Sequence, residues 1–458
     1  MNIYSNFKSR QLFIRTLKIV LLGIFGLCFA NSVYSATTLV NCTGNATDRG
    51  LIQSAIDHAR SGDMIKLANI CQLDGTEIYV TKSNLTIEGA GQSGGWSTVV
   101  KGITQSNSTL APLGDNGSPS YTYFNRGFRI GAIDGSVSVA NVKITGIKFQ
   151  SLNRAINVIP QLGANSSLCS DITVSNNSVS NLTIENNWFD YNNRGISAYG
   201  NNDHMSAQNN LFTHSTGDID FLLDGQNIPC LLSDGSRNPI PIHIGTPAYA
   251  VIMGNSNQND QQPLFSRTLS LFGVSNVKVM NNILSNVSGG LVVELAGKNN
   301  LIFNNSFDAG GINLAENQFP ATGIVAFTIA GGLSPQVIIP SANNLVMNNE
   351  IKNALPGIQV DSATTGYTFI NNKITGTIPG IPEFGVPNLG DVLFCDDGTG
   401  NTGGFCAYAP GQPTFSNKLI SPNCLNVVDL GVNNKLLGFI SVSTNTNVPP
   451  SGQCMLLK

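Results

Sequence analysis

Four arginines lie in, or directly after, three copies of one short motif, Asn-Arg-(Gly or Ala)-(Phe or Ile). These residues are Arg126, Arg129, Arg154 and Arg194. The planar guanidinium group of arginine pairs with a carboxylate or sulfate through two parallel hydrogen bonds. If the three copies lie in successive structural repeats, their arginines form one exterior column. We therefore predict that these four residues contact an anionic substrate.

Two aspartates, Asp218 and Asp220, come after the third copy and flank Ile219. Alternate side chains of a strand point to opposite faces, so an inward Ile219 would turn both carboxylates outward beside the arginines. Such a pair could bind Ca²⁺, which takes oxygen ligands. A cation and arginines together would hold a uronic-acid polymer and acidify the proton next to its carboxyl group, and elimination or epimerisation then needs a base. Asp218, Asp220 and Arg194 are the candidate catalytic residues, and Asp218 and Asp220 are the candidate metal ligands.

A purely structural interpretation fits the same residues. Arg194 and Asp218 would be diagonal neighbours on adjacent repeats, and a surface ion pair of this kind stabilises a protein by about 0–1 kcal/mol without implying activity. The motif would then persist because a turn needs its Asn and Gly.

A repeat of 23 residues organises the chain. Six short apolar segments each contain an Asn-Asn pair or its equivalent, and the second Asn falls at Asn187, Asn210, Asn282, Asn305, Asn349 and Asn372. The intervals are 23, 72, 23, 44 and 23 residues, which indicates insertions in two of them. A weaker copy places Asn417 in the same role.

A second mark follows eight residues after most of these asparagines: a small residue and then an aliphatic one. The pairs are Gly195-Ile196, Asp218-Ile219, Gly290-Leu291, Gly357-Ile358 and Gly380-Ile381, with Gly311-Ile312 two residues early. Short runs of Val, Ile, Thr and Phe bounded by Asn and Gly are typical of strands and turns. Copies of one strand at this spacing stack best in parallel, with stacked Asn amides hydrogen-bonded along a column. The sequence therefore predicts a parallel β-solenoid.

The Asn-Asn and Gly-Ile marks resemble the repeats of right-handed parallel β-helix proteins of the pectin-lyase-like superfamily. The likeness covers about residues 37–437, including a short amphipathic helix at 51–56 and first rungs at 61–67 and 84–91. It implies an all-β, right-handed parallel β-helix with an N-terminal capping helix and a disulfide-stapled C-terminal cap. Solenoids need such caps to cover their last edge.

The resemblance is weak for function, because these folds host lyases, hydrolases, epimerases, adhesins and phage tailspikes. The polygalacturonase-like hydrolases would have N-T-D, D-D, G-H-G and R-x-K motifs in order. This sequence has one adjacent aspartate pair, Asp396-Asp397, and neither G-H-G nor R-x-K. No catalytic residue is carried over from the family.

The amino-acid composition argues against several other classes of protein. The chain has 458 residues, a net charge of −3 and only 11% charged residues, with 48 Gly and 56 Asn. These values argue against a nucleic-acid binder with a broad basic face. They also argue against helical solenoids and coiled coils, whose solvent-exposed faces need charged residues. With 41% hydrophobic residues and low net charge, disorder is also disfavoured.

The first 35 residues are typical of a secretory signal peptide. Basic residues precede an apolar run at 19–30, which is too short to span a bilayer, and Val33 and Ser35 suit a cleavage site before Ala36. We expect a secreted or periplasmic protein, monomeric, with no membrane span after cleavage. Eight cysteines follow the signal, and pairing of neighbours is the simplest of the 105 arrangements. It joins Cys42–Cys71, Cys169–Cys230, Cys395–Cys406 and Cys424–Cys454.

The predicted organisation is a signal peptide (1–35), an N-terminal cap with the first coils (36–100), a β-helix with loop insertions (101–419) and a C-terminal cap (420–458). Insertions at about 157–181, 221–275, 313–343 and 382–413 would project from one side and wall a groove. The first functional hypothesis is an exported protein that binds, and as a lyase or hydrolase cleaves, an acidic polysaccharide. The alternative is a non-catalytic adhesion or surface-structural protein that uses the β-helix as a rigid rod.

Overall fold

The computed structural model describes most of the chain after residue 34. The described residues are 35–102, 126–132, 137–158, 178–199, 202–214, 217–222, 248–258, 267–286, 290–311, 321–327, 329–330, 338–339, 341–361, 364–381, 387–396, 406, 414, 416–444 and 453–457. The predicted signal peptide lies outside them, apart from its last residue. Among these residues, no helix has the length and apolar character needed to cross a membrane.

Three parallel sheets stack along one axis, and from Met64 to Phe394 each turn of the chain adds a strand to each sheet in the order sheet 1, sheet 2, sheet 3. Sheet 1 contains Thr37–Asn41, Met64–Ala68, Leu85–Glu88, Val142–Thr145, Thr183–Glu185, Ser206–Gln208, Val251–Met253, Lys278–Met280, Leu301–Phe303, Asn344–Met347, Tyr367–Ile370, Lys418–Asp429 and Lys435–Ser443. Sheet 2 contains Ile70–Gln72, Val99–Lys101, Lys148–Gln150, Trp188–Asp190, Leu211–Thr213, Ser256–Gln258, Ile283–Ser285, Ser306–Asp308, Glu350–Lys352 and Lys373–Thr375.

Sheet 3 contains Ile78–Val80, Arg126–Ile130, Arg154–Val158, Arg194–Tyr199, Gly217–Leu222, Arg267–Ser275, Leu291–Lys298, Thr322–Ala326, Ile358–Val360 and Val392–Phe394. The strand Lys418–Asp429 pairs with both sheet 1 and sheet 3 and joins them at the C-terminal end. Smaller elements are the three-stranded sheet Val139–Ala140, Val179–Ser180 and Asn202–Asp203, and the pair Ile329–Ala330 and Ile338–Ile339. The predicted right-handed parallel β-helix is thus confirmed.

Asn-Asn pairs make the corner between sheets 1 and 2. The first residue of each pair adopts a left-handed conformation, as in Asn281 at φ 56° and Asn304 at φ 60°, which asparagine tolerates. The second Asn is buried, and its side chain bonds to the next coil: Asn282 Nδ2 donates to Asn305 Oδ1 over 2.9 Å. This ladder runs through Asn187, Asn210, Asn255, Asn282, Asn305, Asn349 and Asn372.

The ladder contains a coil that the repeat pattern missed. Asn255 bonds to both Asn210 and Asn282, so the 72-residue interval holds one further turn of the helix. The preceding residue is Gly254, at φ 65°, which takes the left-handed conformation without an Asn side chain. The prediction of one insertion at 221–275 is therefore wrong, because Val251–Met253, Ser256–Gln258 and Arg267–Ser275 are regular strands of this coil.

Asn417 and three of the Gly-Ile marks are also placed differently. Asn417 Oδ1 accepts from the backbone of Tyr367, at the start of a sheet 1 strand, so it is not part of the Asn187 ladder. In sheet 3, Ile358 pairs with Ile324 and with Val392. Gly323-Ile324 and Asp391-Val392 therefore hold the positions expected for Gly311-Ile312 and Gly380-Ile381. Gly290-Leu291 lies two residues before the expected position. Leu291 pairs with Arg267, and Val293 is the residue in register with Leu269 and Ile219.

The two ends are closed as the fold class predicts. A helix, Asp48–His58, buries Ile52 and Ile56 over the first coils. At the other end Met455–Leu457 pairs antiparallel with Lys435–Ser443. The disulfides Cys42–Cys71, Cys395–Cys406 and Cys424–Cys454 are formed, and the predicted Cys169–Cys230 pair lies outside the described residues.

Candidate functional site

The lengths of the connections between strands distinguish sheet 3 from the other two sheets. In the eight coils from Val142 to Thr375, two residues join each sheet 1 strand to its sheet 2 strand. Most of the longer connections enter or leave sheet 3, for example 102–125, 159–178 and 223–247, although 89–98 joins sheets 1 and 2. Loops that leave a rigid scaffold are where binding residues concentrate. The outer face of sheet 3 is therefore the first place to look for a site.

The predicted arginine column exists at the start of the sheet 3 strands. Arg154 pairs in register with Arg126 on one side and with Arg194 on the other. Arg194 pairs with Gly217, and because Ile219 pairs with Leu269, Arg267 lies at the next level. We call these five residues, at 126, 154, 194, 217 and 267, the arginine row. Arg267 was missed because the Arg-Thr-Leu sequence there lacks the Asn and Gly of the motif.

Gly217 is required by the close approach of Arg194. A Cβ atom at position 217 would lie 2.7 Å from Arg194 Nη1 and 2.8 Å from its Cδ, so the arginine side chain extends over the glycine. Arg194 Nη1 also donates to the Asn193 carbonyl over 3.3 Å. The guanidinium group of Arg194 thus covers the level at which the row has no arginine of its own.

Buried glutamates hold both ends of the arginine row. Glu77 bonds to Arg126 and Arg129 at 3.2 Å each, between its two oxygens and the Nη1 atoms. At the far end Glu294 Oε2 lies 3.4 Å from Arg267 Nη1 and accepts from Ser270 Oγ at 2.6 Å. Both carboxylates are buried, and a buried charge is costly unless it is paired and hydrogen-bonded, as these two are.

A second row of polar residues runs three positions further along the same strands. We call it the polar row, and its members pair in register: Arg129, Asn157, Ser197, Asp220, Ser270 and Glu294. Their neighbours in each strand, such as Phe128 and Ile156, lie in the core, so the polar row faces outward by alternation. The side chains are nonetheless buried, that of Arg129 being 2% exposed; the side chain of Asp220 is not among those described.

Three neighbours in the polar row have buried atoms without a hydrogen-bond partner among the residues that the structure describes. These atoms are Arg129 Nε and Nη2, Asn157 Oδ1 and Ser197 Oγ. Leaving a buried polar atom unpaired costs about 1–3 kcal/mol. Three such residues on adjacent strands place unpaired donors and acceptors side by side beneath the outer face of sheet 3. The alternation that follows each arginine motif could have revealed Asn157 and Ser197, whereas Glu77 and Glu294 carry no sequence signal.

The predicted outward orientation is wrong for Asp218. Its side chain is 1% exposed, and its Oδ2 accepts from Asn257 Nδ2 at 2.8 Å. Asn257 is in register with Phe212, which stacks on Phe189 inside the helix. A Cβ at Gly195, the same level in the previous coil, would lie 2.5 Å from Phe212, so this position points inward. Regular alternation begins only at the following residue, Ile219.

Asp220 is at the predicted level, since it pairs with Ser197 and Ser270. Within the described part of the chain, no group of three or more His, Cys, Asp or Glu side chains could hold a metal ion. The Ca²⁺ role of Asp218 and Asp220, like the catalytic role of Arg194, stays a prediction.

The corner between sheets 2 and 3 carries a separate charged and aromatic cluster. Asp190 is buried and bonds to Lys148 Nζ at 2.9 Å, His214 Nδ1 at 3.0 Å and Thr213 Oγ1 at 2.7 Å. Burial alone would raise the pKa of Asp190, but the hydrogen bonds from Lys148, His214 and Thr213 lower it below the usual value. The ring of His214 stacks on Tyr191, with centroids 4.1 Å apart and planes at 4°.

No protein-family model matches the chain, and no curated protein sequence does. Solved structures do match. The catalytic unit of an alpha-1,3-glucanase from Streptomyces thermodiastaticus has a TM-score of 0.50 and 11% identity, over 93% of this chain and 68% of that one. An alginate lyase from a Paenibacillus species has a TM-score of 0.44 and 12% identity, over 74% and 97%. A DFA-IIIase from Arthrobacter chlorophenolicus has 0.43 and 15%, over 86% and 93%.

The likeness to the glucanase and the three stacked sheets define the class of protein. The chain is a right-handed parallel β-helix with the pectin-lyase-like fold. At identities this low, the comparisons establish the fold alone.

Proposed function

We propose that this protein is exported, binds an acidic polysaccharide along the outer face of sheet 3, and cleaves it. One observation carries the proposal: the arginine row lies beside a polar row whose buried Arg129, Asn157 and Ser197 have unpaired atoms. The glucanase that shares the fold acts on a polysaccharide, which is compatible with a polysaccharide substrate for this protein.

The arginine row supports an extended anionic ligand. Its members recur once per coil, about 4.8 Å apart. A polymer with a carboxylate on each sugar offers repeated anions to repeated guanidinium groups, and arginine matches carboxylates in two parallel hydrogen bonds.

Buried donors and acceptors support recognition of the sugars themselves. Arg129 Nε and Nη2 are donors, Asn157 Oδ1 is an acceptor, and Ser197 Oγ can be either. Ligand sites commonly combine a few such fixed polar groups with a surface shielded from water. A bound glycan would form hydrogen bonds with atoms that otherwise stay unpaired. Because the fold already fixes these side chains, binding would cost little conformational entropy at these positions.

Carboxylates in the same row support cleavage. Asp220 and Glu294 are two strands apart in register, which separates their backbones by about 9–10 Å. Inverting glycoside hydrolases keep their two carboxyl groups about 6.5–9.5 Å apart, leaving room for a water molecule. Backbones this far apart are compatible with that separation, and we assign inverting hydrolysis to Asp220 and Glu294 as the acid–base pair, with the arginines holding the substrate carboxylates. We assign Glu294 as the base, held in place by Arg267 and Ser270.

Export is part of the same proposal. The three disulfides suit an oxidising compartment, and the N-terminal 35 residues suit a signal peptide. A secreted or periplasmic location would bring the protein to extracellular glycans.

Binding and cleavage of a polyuronate panel, including alginate and polygalacturonate, test the proposal. We expect affinity that falls at least tenfold in Arg154→Gln, and release of reducing ends that is lost in Glu294→Gln while binding persists. Lys373→Gln is the control, because Lys373 is an exposed residue of sheet 2 paired with Glu350. Absence of both binding and turnover in a folded wild-type protein would overturn the proposal and favour the rod function.

A further inference from the structure

The exposed Tyr191 and the half-buried His214 form a stacked pair beside the arginine row. They follow the in-register residues Asp190 and Thr213 of sheet 2, and each lies three residues before a member of the row, Arg194 or Gly217. Tyr191 is 41% exposed, so its ring is open to solvent. The pair therefore lies at the edge of the proposed binding face, at the two levels that the Arg194 side chain spans.

The conformation of Tyr191 is unusual for its residue type. Its φ of 53° is left-handed, a region that favours Gly, Asn, Asp and His and makes a bulky residue an outlier. Equivalent corners in other coils carry residues better suited to it, such as Asn353 at φ 55°. Tyr249 has the same strained conformation, at φ 54°, so the feature that distinguishes Tyr191 is its place beside the arginine row.

Neighbouring contacts fix the pair in place. His214 Nδ1 bonds to Asp190 Oδ1, and Asp190 is itself held by Lys148 and Thr213. Trp188 Nε1 donates to Thr213 Oγ1 at 2.7 Å, which tightens the same corner. Because His214 is anchored and stacks on Tyr191 at 4.1 Å, the Tyr191 ring has a defined orientation before any ligand arrives.

We propose that the Tyr191–His214 pair is a sugar-binding platform, on which one pyranose ring of a glycan stacks while the arginine row contacts the carboxylates. The C–H groups on the flat face of a sugar carry partial positive charge, and the face of an aromatic ring is negative. The platform recognises the sugar ring rather than its charge. This inference rests on the proposed glycan binding at sheet 3.

A second stacked pair supplies a matched control. His204 and Tyr249 also stack, at 5.1 Å and 11°, and both have φ 54°. They lie at the corner that leads from sheet 3 into sheet 1, away from the end of each strand where the arginine row is found. In the neighbouring coils this corner carries Asn181 and Asn276, so Tyr249→Asn is a change that the fold accepts.

The experiment measures oligouronate affinity by calorimetry, together with thermal stability, for Tyr191→Asn, Tyr191→Phe and Tyr249→Asn. The probes are an oligogalacturonate and its carboxyl-reduced, neutral counterpart. We expect Tyr191→Asn to be at least as stable as the wild type but to bind both probes about tenfold more weakly, and Tyr191→Phe to keep its affinity.

Equal affinity of Tyr191→Asn and the wild type would overturn the platform while leaving the arginine row as the binding site. Loss of stability in Tyr191→Asn without loss of affinity would assign the ring a structural role and overturn the platform too. If the wild type and Tyr249→Asn bind neither probe, glycan binding itself fails, and the platform fails with it.

Discussion

Arg129 and Glu77, 52 residues apart in sequence, form a buried ion pair on the outer face of sheet 3, with 3.2 Å between Nη1 and Oε2. A charged pair of this kind gains little stability relative to an apolar one, because both ions lose their hydration. Only one of the three guanidinium nitrogens of Arg129 has a partner among the described residues. The pair therefore holds Arg129 in place and leaves its Nε and Nη2 atoms unpaired within the described part of the chain.

Removing Glu77 should destabilise the protein strongly. Glu77→Ala leaves Arg129 buried without its counter-ion and takes an acceptor from Asn157 Nδ2. Breaking a buried pair costs about 3–5 kcal/mol, and urea unfolding would measure it. Glu350→Ala is the control: its pairs with Lys352 and Lys373 are exposed and should contribute less than about 1 kcal/mol. Similar losses in the two variants would contradict the account.

The two asparagines of one corner should differ in their effects. Asn282 is buried, and its Oδ1 accepts from the backbone and side chain of Asn255, so Asn282→Ala leaves several polar groups unpaired. We expect a loss of about 3 kcal/mol or more in the free energy of unfolding. Asn281→Gly should change it by less than about 1 kcal/mol, because glycine takes the left-handed conformation freely. Equal losses would exclude the ladder as a main source of stability.

Asp190 should make stability depend on pH at the acid end. Its pKa is lowered in the folded protein, so it contributes stability above the usual carboxyl pKa, and this is lost as the pH falls through the lower, folded value. The wild type should therefore exceed Asp190→Asn in stability most clearly above about pH 4, and the difference should shrink below it. Unfolding curves between pH 2 and 7 test this; a difference that grows towards low pH would contradict it.

The fold was predictable from sequence because each coil repeats its own local chemistry. The Asn187, Asn210 and Asn282 segments recur at the same phase, and the in-register pairing of Arg126, Arg154 and Arg194 followed from their common motif. The Asn-Asn pattern does not predict the coil around Asn255, because Gly254 replaces the first asparagine without changing the backbone conformation.

The site was less predictable because it depends on orientation at single positions. Asp218 has the sequence context of an outward residue, yet the strand start turns it towards Asn257. Glu77 and Glu294 meet the arginines only because neighbouring coils stack, and no local sequence pattern predicts these contacts.

Ser197→Ala tests the central claim most directly. Ser197 is fully buried, and its hydroxyl has no partner among the residues that the structure describes. Removing an unpaired buried hydroxyl should raise the free energy of unfolding by about 1 kcal/mol. If the polar row binds a glycan, the same change should lower oligouronate affinity about tenfold, because one hydrogen bond to the ligand is lost. Higher stability with weaker binding is the predicted result; unchanged affinity for an oligouronate that the wild type binds would contradict a glycan site on the outer face of sheet 3.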